Sequence, residues 1–252
     1  MTEAAVVPQR ATLMTLLRLA LPIVLSRASQ TVVGLADAIM VAHLGAASLA
    51  ATSTGATNAF SLLILPMGIT FIVSSFSSQL FGRGDVASAR RYGWYGLIVA
   101  AVTQVVCFVS IPFFGSVVDL LPYEADVKAL MTTYLGWRIL SGGAAIGLEA
   151  LANYYGGLGR TLPGMAANLV AMGLNVVCNF VLINGAGPIP ALGVMGAALA
   201  SSISTVIAFA GFFVFFLREG RGLPRPALSR AEFGRMLRFG LPSGFNWLER
   251  EN

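Results

Sequence analysis

Asp37, Asn175, Asn179 and Ser201 are the residues of this 252-residue chain whose types and spacing invite chemistry. All four sit inside long apolar stretches. The first runs from Leu19 to Leu44 as LALPIVLSRASQTVVGLADAIMVAHL, and a helix that spans a membrane needs about 20 largely apolar residues. A carboxylate inside such a helix costs about 2.5–3.5 kcal/mol on insertion scales, so it is seldom idle. Asn175 and Asn179 are four residues apart and share a helical face. A carboxylate, two carboxamides and a hydroxyl can bind a proton or an oxygen-liganded cation such as sodium. For each amide or hydroxyl taken singly, the competing role is interhelical packing. An ionisable acid is not needed for packing.

Depth joins the four. Asp37 lies six residues before His43, at the outer end of its span; that is about 9 Å along a helix axis. Asn175 and Asn179 precede the end of theirs, at Asn184, by nine and five residues, and Ser201 follows Leu192 by nine. The spacing places all four in the outer half of the bilayer. A second set of candidates for a cavity wall lies on the first and second spans. Ser26, Gln30, Gly34 and Asp37 form a stripe at helical spacing, and Thr54, Asn58 and Ser61 form another. Lipid-facing polar groups are penalised, so both stripes should look inward. Arg27, Arg138 and Glu149 are further intramembrane charges that need partners. Arg138 and Glu149 are expected along nearly one face of a single helix, too far apart to touch.

The elements that position these residues follow from hydropathy. The chain is 56% hydrophobic and 11% charged, whereas soluble domains carry about 25% charged residues. Six spans are expected, at 16–43, 48–80, 93–117, 127–155, 162–184 and 192–217. The fold class is therefore an all-α polytopic membrane protein, a six-helix bundle over residues 1–217. Residues 218–239 read as a cytoplasmic linker carrying an amphipathic helix, with Phe233, Met236, Leu237 and Gly240 at helical spacing. Residues 240–252 read as the start of a seventh helix, cut short.

Basic residues alternate between the connections. Arg10 and Arg18, then Arg83, Arg90 and Arg91, then Arg160, then the six arginines from Arg218 to Arg238 lie on one side. Lys128 stands alone on the other, beside Asp119, Glu124 and Asp126. The positive-inside rule puts the N-terminus in the cytoplasm and the chain in the plasma (inner) membrane as a multi-pass protein. The net charge of +5 thus reports topology and not a nucleic-acid partner. Cys107 and Cys178 read as small buried hydrophobes, and one histidine with two scattered cysteines makes no metal site. No nucleophile elbow, P-loop or dinucleotide fingerprint is present, so an enzyme is not expected.

The segments LALPIVLSRASQTVVGLADAIMVAHLGAASLAA, SSQLFGRGDVASAR, YYGGLGRTLPGMAANLVAMGLNVVCNFVLINGAG and LGVMGAALASSIS together resemble the multidrug and toxic compound extrusion (MATE) transporters. The resemblance implies twelve helices in two six-helix lobes around a central cavity, of which this chain supplies the first lobe, with the C-terminal lobe missing. It implies that Asp37 is the first-helix acid of cation coupling and that Asn175 and Asn179 are two fifth-helix positions of the same site. Ser201 matches a sixth-helix hydroxyl position often held by Thr. Asn179 stands where some members carry Asp, which alters the coupling chemistry. Glu249 is placed against a seventh-helix acid of one subgroup, offset by one residue. Gln30, Thr54, Asn58, Glu149 and Glu249 are the candidate cavity-lining residues.

The function expected is a proton- or sodium-coupled antiporter that exports amphipathic, cationic drugs or toxic organic compounds by alternating access. No cofactor is expected beyond the coupling ion, and the only metal considered is sodium at Asp37. The partners expected are small amphipathic substrates and the lipid bilayer. The rivals are a lipid or polysaccharide-precursor flippase and a non-transporting fragment. A flippase calls for a cavity rich in Arg and Lys, and only Arg27 and Arg138 qualify.

Overall fold

Amphipathic and apolar segments become helices here because a bilayer leaves no water to satisfy a bare backbone. The computed structural model describes residues 13–222 and 227–251, except the side chains of residue 15 and of residues 246–251. The amino-terminal arm and the Glu249 side chain lie outside the described residues. Among the described residues nine α-helices follow in order: α1 Leu13–Ala42, α2 Ala46–Gly82, α3 Val86–Ser110, α4 Phe114–Asp119, α5 Ala125–Arg138, α6 Gly142–Gly157, α7 Leu162–Asn184, α8 Gly193–Glu219 and α9 Arg230–Glu251. Among the described residues five stretches are long and apolar enough to cross a membrane unaided: 16–42, 46–82, 86–119, 162–184 and 193–219. Large apolar side chains such as Val105, Phe108, Val177 and Phe180 stand exposed on them, as a lipid-facing surface requires.

The expected fourth helix over 127–155 is not a single helix, and it is not among those five stretches. The chain there forms two helices, α5 and α6, joined by a 3-10 turn over Ile139–Ser141. Arg138 ends one helix and Glu149 belongs to the other, so the two do not share a helical face. The break lies where the chain packs closely on α3. A Cβ at Gly142 would meet Cys107 Sγ at 2.5 Å, and one at Gly143 would meet the Ala100 carbonyl at 2.7 Å. The two glycines let α6 press onto α3, and Gln104 Oε1 accepts the Gly143 backbone N–H at 2.9 Å. A side chain thus takes over the hydrogen bonding that a tightened turn gives up. Pro112 sits in a similar 3-10 turn, Ile111–Phe113, that separates α3 from α4.

A second difference concerns the end of the chain. The expected division at 239/240 between linker and seventh helix is absent, because α9 runs unbroken from Arg230 to Glu251 through Pro242. Met236 is fully buried, with Phe233 and Leu237 packed on the same core. Polar contacts fix its first turn: Ser229 N donates to Tyr95 Oη at 2.8 Å, Tyr95 Oη donates to Glu232 Oε2 at 3.0 Å, and Arg91 pairs with Glu232 at 3.4 Å. At that end of the bundle the buried Arg90 guanidinium lies over the Phe216 ring at 3.9 Å and donates to the Phe216 carbonyl. Glu219 accepts from Tyr155 and Arg160. These contacts lock the ends of α3, α6 and α8 together.

Helices α7 and α8 form a hairpin whose closeness matters for the site. A Cβ at Gly196 would meet the Leu182 carbonyl oxygen at 2.4 Å, so only glycine lets the two backbones approach so nearly. Leu192 N also donates to the Leu182 carbonyl at 2.9 Å. Helix α1 packs chiefly against α7.

Candidate functional site

Three helices bring four polar side chains into one ring. Ser201 Oγ, on α8, donates to Asp37 Oδ2 at 3.0 Å, and Asn179 Nδ2, on α7, donates to Asp37 Oδ1 at 2.5 Å. Asn175 closes the ring: its Oδ1 accepts from Asn179 Nδ2 at 3.1 Å and its Nδ2 donates to Ser201 Oγ at 3.0 Å. The i, i+4 spacing of the two asparagines puts both amides on one face of α7. The close α7–α8 packing then sets Ser201 within reach.

All four side chains are buried, and Asp37 is 6% exposed. Every donor in the ring points toward the carboxylate or toward a group that does, so the arrangement suits the ionised acid. Asn179 Oδ1 is the exception. It is buried and has no hydrogen-bond partner among the described residues. Val41, Ile183 and Ala197 lie one turn along α1, α7 and α8 from Asp37, Asn179 and Ser201. They form an apolar cluster with Tyr134, Val194 and Ala198, which seals that side of the ring from water.

About 15 Å back along α1 a second polar cluster ties the same helix to α6 and α7. Arg27 Nη1 and Nη2 donate to Glu149 Oε1 and Oε2 at 2.8 and 3.2 Å, a two-pronged pair. Gln30 Nε2 donates to Glu149 Oε1 at 3.2 Å and to Asn168 Oδ1 at 3.3 Å, while Asn168 Nδ2 donates to Ser26 Oγ at 2.8 Å. Arg27 and Glu149, each left without a partner by the sequence, are therefore partners of each other. Asn168 was not singled out beforehand. Its signal was present, because residues 168, 175 and 179 fall on one face of α7 at intervals of seven and four.

The remaining candidates stand apart. Thr54 Oγ1 donates back to the Ala50 carbonyl within α2, and Asn58 Nδ2 lies 3.6 Å from Met131 Sδ on α5. Arg138 Nη1 donates to Ser141 Oγ at 2.8 Å, within the 3-10 turn. No group of three or more His, Cys, Asp or Glu side chains is clustered to hold a metal among the described residues. Both cysteines are free thiols. An apolar groove of about 390 Å³ between α2, α3 and α9, lined by Leu65, Ile69, Val106 and Phe233, shares no residue with either polar cluster.

Comparison with known proteins places this architecture. The family model MatE matches residues 22–181. The chain is 29% identical over 228 residues to a probable multidrug resistance protein NorM of Neisseria meningitidis serogroup A, covering 89% of this chain and 47% of that protein. It is 27% identical over 192 residues to the multidrug resistance protein MdtK of Yersinia pestis, covering 75% and 41%. The chain spans about half the length of the curated relatives it matches. Among solved structures, a MOP superfamily transporter from Pyrococcus furiosus superposes with a TM-score of 0.83 at 24% identity, over 93% of this chain and 52% of that one. An outward-facing multidrug resistance MATE family transporter gives the same values. The chain belongs to the MATE (MatE) family of membrane transporters and corresponds to the family's N-terminal half.

Proposed function

We propose that this chain is one lobe of a cation-coupled antiporter, working against a second six-helix lobe to export amphipathic, cationic organic compounds by alternating access. The observation that carries this reading is the buried ring around Asp37. It is an ionisable group at the contact between α1 and the α7–α8 hairpin. While Asp37 is ionised, Asn179 and Ser201 hold α1 to that hairpin through charge-assisted hydrogen bonds. A proton arriving at Asp37 removes the charge that those donors satisfy, and the grip on α1 weakens. Binding energy spent differently in two conformations is what shifts a population between them.

Sodium as the coupling ion fits the same donor set. Asp37, Ser201 and both asparagines supply oxygen ligands, and the unbonded Asn179 Oδ1 is an acceptor that a cation would satisfy. One carboxylate in place of two makes the site net neutral with one bound proton or sodium. Alternating access requires two bodies that rock about a shared cavity, which is why a second lobe is part of the proposal.

The test is reconstitution of the complete two-lobe transporter in liposomes, with a proton gradient or a sodium gradient imposed separately and efflux of a cationic dye followed. Export driven by either gradient supports the reading, and export indifferent to both overturns it. The proposed setting is the inner membrane with a cytoplasmic N-terminus, because the arginines lie on one side. A reporter fused at residue 120 is expected outside and one at residue 86 inside; the reverse would overturn the orientation.

A further inference from the structure

The ion pair in the middle of α1 presents its two charges unequally. The Arg27 side chain is 46% exposed and its partner Glu149 only 11%. Glu149 is also crowded, accepting from both Arg27 nitrogens and from Gln30. Whatever approaches from the open side therefore meets guanidinium nitrogen before it meets carboxylate oxygen.

The depth of Arg27 decides what that open side is. The apolar span containing it runs from Leu16 to Ala42, so Arg27 is more than about 15 Å from either end. Charged side chains at such depth face a bundle interior or a water-filled cavity and not hydrocarbon. Its exposed neighbours on the same face are Ile23 and Val24, one turn back, and Gln30 and Thr31, one turn on. The face is apolar at one end and rich in hydrogen-bonding groups at the other.

We propose that Arg27 binds the carboxylate of an amphipathic substrate, with Glu149 as the positioning residue that holds the guanidinium plane toward the cavity. The inference deepens the transport reading and rests on it. Within the exported class the preferred substrates become zwitterionic amphiphiles, molecules with a carboxylate besides their cationic, apolar body. A guanidinium offers a planar fork of five N–H donors that matches a carboxylate. Two prongs go to Glu149 and Nη1 also donates to Gln30 Oε1 at 3.3 Å; the other N–H groups of this half-exposed side chain have no acceptor among the described residues. A purely cationic ligand would have to displace Arg27 from Glu149 and leave a guanidinium unpaired in the membrane, which is the costlier arrangement.

Rhodamine B and its methyl ester separate these cases, because they share one xanthylium cation and differ in a free carboxylate. Binding of each is measured by fluorescence polarisation to the complete transporter in phosphatidylcholine nanodiscs, and again with anionic lipid added. The wild type should favour the acid over the ester by about tenfold, the scale of one charge-assisted contact. Arg27→Gln should erase that preference while ester binding persists, and Arg27→Lys should retain part of it. Glu149→Gln should give an intermediate ratio, a readout that general damage to the fold does not move because damage lowers both dyes together. Equal acid and ester binding in the wild type would overturn the inference. So would an acid-to-ester ratio untouched by Arg27→Gln, or an Arg27 effect seen only as weaker competition by anionic lipid. Failure of both dyes to bind or be exported at all would instead count against the transport reading.

Discussion

Helix α1 is held by two polar clusters that differ in how they handle charge. The ring at Asp37 is sealed, contains one ionisable group and meets it with neutral donors. The cluster at Arg27 and Glu149 is half open and balances one charge with another. A neutral-donor cage around a single acid changes its net charge when a proton or cation enters. An ion pair keeps its net charge and presents a fixed electrostatic face. The first design suits a switch and the second suits a recognition surface. Both sit on one helix, α1, which exposes apolar side chains along much of its length, including Leu21, Val24, Leu35 and Ile39, and leans mainly on α7.

If that contrast holds, the largest effect belongs to Asp37. Asp37→Asn should abolish gradient-driven export in the complete transporter while membrane insertion and the folded yield persist, because removing a charge eases burial. Undiminished cation-driven export by the Asn variant would erase the distinction between the clusters. Next comes the ion pair. Glu149→Leu leaves the guanidinium without its partner and should lower stability by about 1–3 kcal/mol, discounted for the open side of Arg27. The double variant Arg27→Met/Glu149→Leu should regain most of that loss in a thermal melt, since removing both charges leaves none uncompensated. A double variant no more stable than Glu149→Leu would show that the pair acts through packing and not through charge.

Ser201→Ala should weaken export without abolishing it. It deletes one of two donors to Asp37, a bond worth about 1.5–3 kcal/mol to a charged acceptor. Loss as complete as that of Asp37→Asn would mean the hydroxyl is itself indispensable to the switch. The smallest effect lies outside both clusters. Asp85 caps α3 by accepting from Ser88 N at 2.9 Å, and hydrogen bonding from the Ser88 side chain first, then from this backbone N–H, holds its carboxyl below the ordinary range. The cap is present near neutral pH and is lost as pH falls through the lowered value. Asp85→Ala should therefore lower the melting temperature by at most a few degrees, with export and dye preference unchanged. A change in either transport property would extend the functional region to that loop.

The spans were legible because hydropathy and length act locally: a bilayer demands about 20 apolar residues whatever the neighbours are. The seam between α7 at Leu162–Asn184 and α8 at Gly193–Glu219 needed only two apolar runs and the NGAGP punctuation between them. Asp37 stood out for a related reason, since an acid in hydrocarbon is conspicuous by its cost alone. Family likeness and shared depth then grouped Asn175, Asn179 and Ser201 with it.

Tertiary structure alone decided the partners. Arg27 and Glu149 are 122 residues apart in sequence, and nothing in the spacing of either names the other, because pairing depends on which helix faces which. The split of the fourth span at Ile139–Ser141 was invisible for the same reason. It lies where α6 presses its glycines onto Cys107 and Ala100 of α3, a contact that hydropathy does not encode. The continuity of α9 through Pro242 was likewise not legible; there the helix lies close on α2, with Gly240 against Ile69 and Gly244 against Leu65. Local sequence determined which segments enter the membrane and which of them carry charge. Packing between helices determined where each charge finds its counterpart, because a contact across 122 residues depends on which helix faces which.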